Sequence, residues 1–179
     1  ASKLAGDLHL ITLCKRYNFP VVFTRSANVY GIHQQLYRII PRTIIYLKMG
    51  KKIQLHGEGK SERSFVHIRD VAEATMKVAE KGINGEIYHI SPSDNQVSIF
   101  SLVKMVCNMM DINFENSVEL ITNNYGQDSK FSISSKKIRS QLGWEPKISL
   151  EEGIQETIDW IEHNWKTISG MPLEYIHKP

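Results

Sequence analysis

Apolar residues recur at helical spacing near the start of the chain: Leu4, Leu8, Ile11 and Cys14. That period predicts a helix over residues 1–17 with one packed face. Pro20-Val21-Val22-Phe23 is instead a short unbroken apolar run. Branched and aromatic side chains favour a strand there, and the lack of alternation predicts burial on both faces, as in a parallel sheet. Polar residues take over as that strand ends, in Thr24-Arg25-Ser26-Ala27-Asn28-Val29-Tyr30-Gly31. Ligands of open α/β sheets bind just beyond the carboxyl ends of strands. Ser26 and Asn28 therefore stand where a ligand is expected, although a strand followed by a polar turn explains the octet equally well.

The pattern then alternates between helix and strand. Residues 36–49 carry Ile39, Ile40, Ile44, Ile45 and Leu47, with Pro41 early and Gly50 as a stop, so a helix is expected. Ile53-Gln54-Leu55-His56 alternates as a strand does, and residues 57–60 read as a turn. A strand over 65–68 leads into a helix whose face is Val71, Ala74, Thr75 and Val78, ended by Gly82. Asp70 and Glu73 have capping-box spacing, which assigns Asp70 a backbone role rather than that of a catalytic acid. Residues 85–90 read as another sheet strand, and the polar patch 91–96 as a linker. Ser98 caps a helix to Met110 with Ile99, Leu102, Val103, Val106 and Met110 on one face. Residues 113–124 are irregular apart from a short strand over 118–121. Gly143 closes a helix over 135–142, and Ser149 with Glu152 forms a second capping box. That box opens a helix with Leu150, Ile154, Ile158, Ile161 and Trp165 along one side. Residues 171–179 match no pattern.

The chain has 179 residues, 41% apolar and 23% charged. This suits one domain or two lobes sharing a core. The net charge of +3 is spread along the chain. No basic stripe for nucleic acid results, no run of about 20 apolar residues spans a bilayer, and a local anion site remains open. Seven histidines and two cysteines show no metal-ligand spacing. Cys14 and Cys107 lie in apolar helical surroundings, as reduced core residues of a cytoplasmic protein do.

The octet around Asn28-Val29-Tyr30-Gly31 resembles a signature of the extended short-chain dehydrogenases/reductases, above all their nucleotide-sugar 4,6-dehydratases. The family's following proline is Ile32 here. The likeness continues in order. Tyr37-Arg38-Ile39-Ile40-Pro41 stands at the family's Glu-Lys-Leu-Ile-Pro, with Arg38 in place of a lysine that meets the nucleotide pyrophosphate. Arg63 stands at a phosphate-binding arginine before a strand, although alone it would read as a solvated loop cation. The family's Asp-Arg-Pro-Gly-His-Asp becomes Asn123-Asn124-Tyr125-Gly126-Gln127-Asp128, so Asn124 and Gln127 replace the two residues that grip the nucleotide. Gly143-Trp144-Glu145-Pro146, preceded by Leu142, stands as in the family's Leu-Gly-Trp-x-Pro. Ala1-Ser2-Lys3 resembles the end of the Tyr-x-x-x-Lys motif, with the tyrosine upstream of this chain; alone, Lys3 is a lysine near a chain end. No Gly-rich phosphate loop occurs, so the resemblance implies the C-terminal part of a longer enzyme.

The implied fold is α/β: the C-terminal part of a Rossmann-type parallel sheet plus a smaller α/β substrate-binding lobe. Residues 1–31 and 64–91 would belong to the NAD-binding domain, and 32–63 and 92–179 to the substrate lobe. Lys3 is then the catalytic residue present, and Lys3 and Ser26 face the NAD cofactor. Asn28, Arg38, Ile39, Gln54, His56, Arg63, Asn124 and Gln127 face a nucleotide-diphosphate sugar. The expected partners are the upstream N-terminal half of the same enzyme and, for the full-length protein, a second copy in a homodimer; neither nucleic acid nor membrane is expected. The implied activity is 4,6-dehydration. A sugar-nucleotide C4 epimerase and a non-catalytic sugar-nucleotide-binding relative are the alternatives.

Overall fold

The computed structural model describes residues 2–92, 96–123 and 129–175. Helix α1 (Ser2–Tyr17) leads to strands β1 (Phe23–Ser26) and β2 (Asn28–Tyr30), then helix α2 (Ile39–Lys48). Next come β3 (Ile53–His56), β4 (Glu62–Arg63) and β5 (Phe65–His67), with α3 (Ile68–Lys81) running straight on from β5. Strands β6 (Ile87–Ile90) and β7 (Val97–Ser98) precede α4 (Ile99–Met109), α5 (Phe114–Ser117), β8 (Val118–Ile121) and β9 (Lys130–Phe131). The remaining elements are α6 (Lys136–Leu142), α7 (Leu150–His163) and α8 (Trp165–Ile168).

The architecture is α/β, with parallel pairs β1–β6, β2–β5 and β3–β8. A short sheet of order β7–β4–β9 completes it, antiparallel at β4–β7 and parallel at β4–β9. The chain changes partners within one residue at the end of β1. The Ala27 N–H donates to the Ile90 carbonyl (2.9 Å), and the next N–H, of Asn28, donates to the Ser64 carbonyl (3.1 Å). The strands therefore fork at Ala27.

Two apolar clusters hold the elements. The larger joins Ile40, Ile44 and Ile45 of α2 to Leu102, Val103 and Val106 of α4 and to Ile154, Ile158 and Ile161 of α7. The smaller gathers Val66, Ala74, Val78, Tyr88 and Ile90 around Ile138 and the fully buried Trp144. Local signals end the helices where expected. Gly50 (φ 64°) follows α2, with its N–H on the Leu47 carbonyl and that of Lys51 on the Tyr46 carbonyl, a paired C-terminal cap. Ser98 caps α4, accepting the Ser101 N–H, and the Ser149–Glu152 capping box is complete in both directions.

Several expectations change. Helix α1 forms but buries none of its residues, and Leu4 and Leu8 are exposed. Cys14 on it is only half-buried, whereas Cys107 is buried. Strand β1 begins at Phe23 rather than Val21, because Phe23 to Ser26 register against Ile87 to Ile90. Its last three residues are exposed, so the strand is not buried on both faces as expected. Helix α2 starts at Ile39, three residues later than its apolar pattern, with Arg38 extended before it. Part of the irregular 113–124 stretch is helical, as α5. Asn164 interrupts the last helix, leaving Trp165 to start α8.

Asp70 also departs from the capping box. The cap of α3 is His67, whose Nδ1 accepts the Arg69 N–H (3.3 Å). Asp70 is buried inside the helix, and its two carboxylate oxygens accept the N–H groups of Lys147 and Ile148, each at 3.1 Å. The Trp144 indole N–H donates to its carbonyl (3.1 Å). Asp70 thus clamps the segment that leads into α7.

Candidate nucleotide-sugar and cofactor site

The fork at Ala27 opens onto a cavity of about 1170 Å³. Its floor is the Ser26 to Gly31 stretch, and its walls come from α1, from the loop before α2, and from β4 and β5. Gly31 turns there at φ 146°, and a Cβ would lie 2.7 Å from Ile68 Cγ2. Only glycine fits without displacing the wall. The Gln34 amide folds the following loop back by donating to the Val29 carbonyl (2.6 Å).

Beneath the floor, Tyr30 is buried and its hydroxyl donates to the Ser149 carbonyl (3.1 Å) at the start of α7. Burial foremost, and then the nearby Asp70 carboxylate, hold its phenol protonated well above the ordinary range. Its ring meets that of His67 edge-on at 5.3 Å. His67 is buried, and burial lowers its pKa more than the Glu156 carboxylate raises it. Because Nδ1 accepts the Arg69 N–H, the ring proton of neutral His67 belongs on Nε2. Nε2 lies 3.2 Å from Glu156 Oε2, too poorly aligned for a hydrogen bond, and Arg69 also reaches that oxygen, at 2.6 Å.

Lys3, Ser26, Asn28, Arg38, Ile39 and Arg63 all line this cavity. An Asp7–Arg25 ion pair (2.6 Å) ties α1 to β1. Asn28 Nδ2 donates to the Ser64 carbonyl (3.2 Å) rather than to its own backbone, using one of two amide donors. Arg63 Nη1 donates to the Glu62 carbonyl (2.7 Å), which steadies the guanidinium at the cavity wall. Arg38 is exposed at the start of α2, its guanidinium 5.6 Å from the centre of the Tyr37 ring.

Gln54 and His56 line a separate, smaller cavity of about 280 Å³, which shares Ile39 and Ile99 with the large one. The Gln54 amide is held by Glu119 of the neighbouring strand (3.1 Å). Asn124 and Gln127 lie outside the described residues. Sequence reasoning missed Tyr37 and Gln34 in the large cavity and Arg42 and Thr43 in the small one. Only their nearness to Arg38 in the chain hinted at them. Among the described residues no cluster of His, Cys, Asp or Glu is arranged for a metal ion, and no helix is long and apolar enough to cross a membrane.

Residues 1–91 match the family described as NAD dependent epimerase/dehydratase. The mouse protein named dTDP-D-glucose 4,6-dehydratase is 37% identical over 174 residues, 93% of this chain and 48% of its own length. The Escherichia coli dTDP-glucose 4,6-dehydratase is 31% identical, with 92% of this chain and 48% of its own length covered. The chain thus spans about half the length of the curated relatives it matches. Among solved structures, the Streptomyces venezuelae dTDP-glucose 4,6-dehydratase with NAD and TYD bound aligns with a TM-score of 0.85 and 28% identity, over 92% of this chain and 51% of that one. The Thermotoga maritima UDP-glucose 4-epimerase with UDP-glucose aligns at 0.83 and 25% identity, over 91% and 52%.

Proposed function

The chain belongs to the NAD dependent epimerase/dehydratase family, and from that premise we propose that the whole protein is an NAD-dependent nucleotide-sugar 4,6-dehydratase of the dTDP-glucose to dTDP-4-keto-6-deoxyglucose type. The observation that carries this reading is the convergence of Lys3, Ser26, Asn28, Arg38 and Arg63 on one cavity. Three cations and two neutral hydrogen-bonding side chains suit a ligand bearing a diphosphate and sugar hydroxyls.

The residues present fit one end of the dinucleotide. Lys3 and Ser26 share the cavity, whereas the 179 residues hold no Gly-rich phosphate loop. In this reading the upstream half of the same protein supplies that loop and the catalytic tyrosine. NAD held there by Lys3 and Ser26 would supply reversible hydride transfer for the loss of water across C5 and C6. Lys3 binds ribose hydroxyls, and its charge favours the tyrosinate form of its partner. Arg38 and Arg63 neutralise the pyrophosphate, and Asn28 orients the substrate without adding charge. Gln54 and His56, at the adjoining small cavity, contact the nucleotide end.

Residues 1–31 and 64–91 form the cofactor part in this proposal, and 32–63 and 92–179 the substrate part. A homodimer would cover the exposed Leu4 and Leu8 of α1. The free thiols suit a cytoplasmic setting. C4 epimerisation is the second reading, favoured by the backbone likeness to the UDP-glucose 4-epimerase. Incubating the full-length protein with dTDP-glucose and with UDP-glucose separates the readings. Mass spectrometry should find a product lighter by one water. An isomer of unchanged mass would make it an epimerase, and tight binding without turnover a binding protein.

A further inference from the structure

The residues after α8 matched no sequence pattern, yet they return to Tyr37, a residue of the large cavity's lining. The Met171 N–H donates to the Ile168 carbonyl (3.0 Å), turning the chain out of α8. Leu173 then packs on the larger apolar cluster. Two residues later the Tyr175 ring meets the Tyr37 ring edge-on, with centres 5.2 Å apart and planes at 68°. Tyr37 lines the cavity, and the guanidinium of its neighbour Arg38 lies over its ring. The order of contacts is therefore Leu173 anchor, Tyr175, Tyr37, Arg38, cavity.

We propose that residues 171–175 are a strap in which Tyr175 is a positioning residue, holding Tyr37 as the platform that presents Arg38 to the anionic part of the ligand; this rests on the nucleotide-sugar reading above. An exposed arginine samples many rotamers, and binding a phosphate would have to freeze them. A ring fixed beneath the guanidinium limits that freedom before the ligand arrives. Tyr37 is itself only half-buried, so its ring needs a second surface, and Tyr175 supplies it. Tyr175 meets Tyr37, which is assigned no part in the chemistry, so the strap should act on substrate affinity and not on turnover.

The test compares Tyr175→Ala, Tyr175→Phe, Arg38→Ala and the double variant Arg38→Ala/Tyr175→Ala in the full-length protein with dTDP-glucose. Tyr175→Ala should raise KM by up to about two- to fivefold, the worth of the exposed Arg38–Tyr37 cation–π contact that it supports, with kcat and Tm unchanged. Tyr175→Phe keeps the ring and should keep the wild-type KM. In the Arg38→Ala background, Tyr175→Ala should add nothing further, since the strap acts through Arg38. An equal KM increase in both backgrounds, or none in either, overturns the proposal. Amide hydrogen exchange over residues 35–40 gives a readout that needs no substrate. Faster exchange in Tyr175→Ala supports the strap even if the wild-type protein consumes no dTDP-glucose, an outcome that would sink only the functional reading. Unchanged exchange likewise overturns the strap.

Discussion

Asn28 carries two loads that a substitution separates. Its amide donates to the Ser64 carbonyl across the strand fork, and the same side chain lines the large cavity. Losing one half-buried hydrogen bond costs about 1 kcal/mol. Losing a substrate-positioning contact costs about tenfold or more in kcat/KM. Asn28→Ala in the full-length protein should therefore melt slightly earlier and fall at least that far in kcat/KM. A melting shift with intact kinetics would leave Asn28 only its structural bond. His67 makes a pH prediction. Its pKa is lowered by burial, so the unfolded chain binds the proton more tightly than the native one. Its contribution to stability is complete above the ordinary imidazole value of about 6.5 and is lost as pH falls below it toward the depressed native value. Thermal melts from pH 8 to pH 5.5 should lose stability in that window, and His67→Asn should flatten that part of the profile. A slope unchanged in the variant would assign the loss to other groups.

At the scale of elements, the cavity floor is held from below by α7. Tyr30 reaches the Ser149 carbonyl, and Gly153 leaves room for its ring: a Cβ there would sit 2.3 Å from the Tyr30 hydroxyl oxygen. Gly153→Ala should cost about 1–3 kcal/mol by overpacking, read as a lower urea midpoint. It should also weaken dTDP-glucose binding in the folded fraction, because Tyr30 adjoins Asn28 and Gly31. Asp70 makes the second tie, from α3 to the segment before α7. Asp70→Ala would leave two part-buried backbone N–H groups without their charged acceptor, at about 2 kcal/mol in total. If its two bonds were dispensable, the variant would melt with the wild type. The Ser149–Glu152 capping box was legible because its bonds close within three residues. Asp70 was misread because its local spacing to Glu73 fitted a cap, while its real partners, Lys147 and Ile148, lie far along the chain.

For the whole molecule, the cavity gathers α1, the β1–β2 fork, the start of α2 and β4 onto one side. In the proposed reading its polar groups would address a ribose and a diphosphate sugar, while the 179 residues contain no Gly-rich phosphate loop for a dinucleotide. The isolated chain should therefore bind NAD no better than about millimolar, whereas the full-length protein should retain it. Calorimetry on the 179-residue chain checks this, and micromolar affinity would overturn the division of labour between the two halves.

Sequence alone determined what is local or strongly periodic: the amphipathic faces of α4 and α7, the Ser98 and Ser149 caps, the stops at Gly50 and Gly143, and the α/β class. It also marked the candidate residues around Asn28, because apolar-to-polar transitions at strand ends are visible in one dimension. Tertiary structure alone decided which strands pair, such as β3 with β8, and that the chain forks at Ala27. It separated Gln54 and His56 into their own cavity and returned Tyr175 to Tyr37. The reason is physical. A cap or helix face is stabilised by neighbours within a turn, so its signal lies in adjacent residues. Strand register, a buried carboxylate's partners and a cavity's walls depend on segments remote in the chain, whose meeting is set by packing of the whole core.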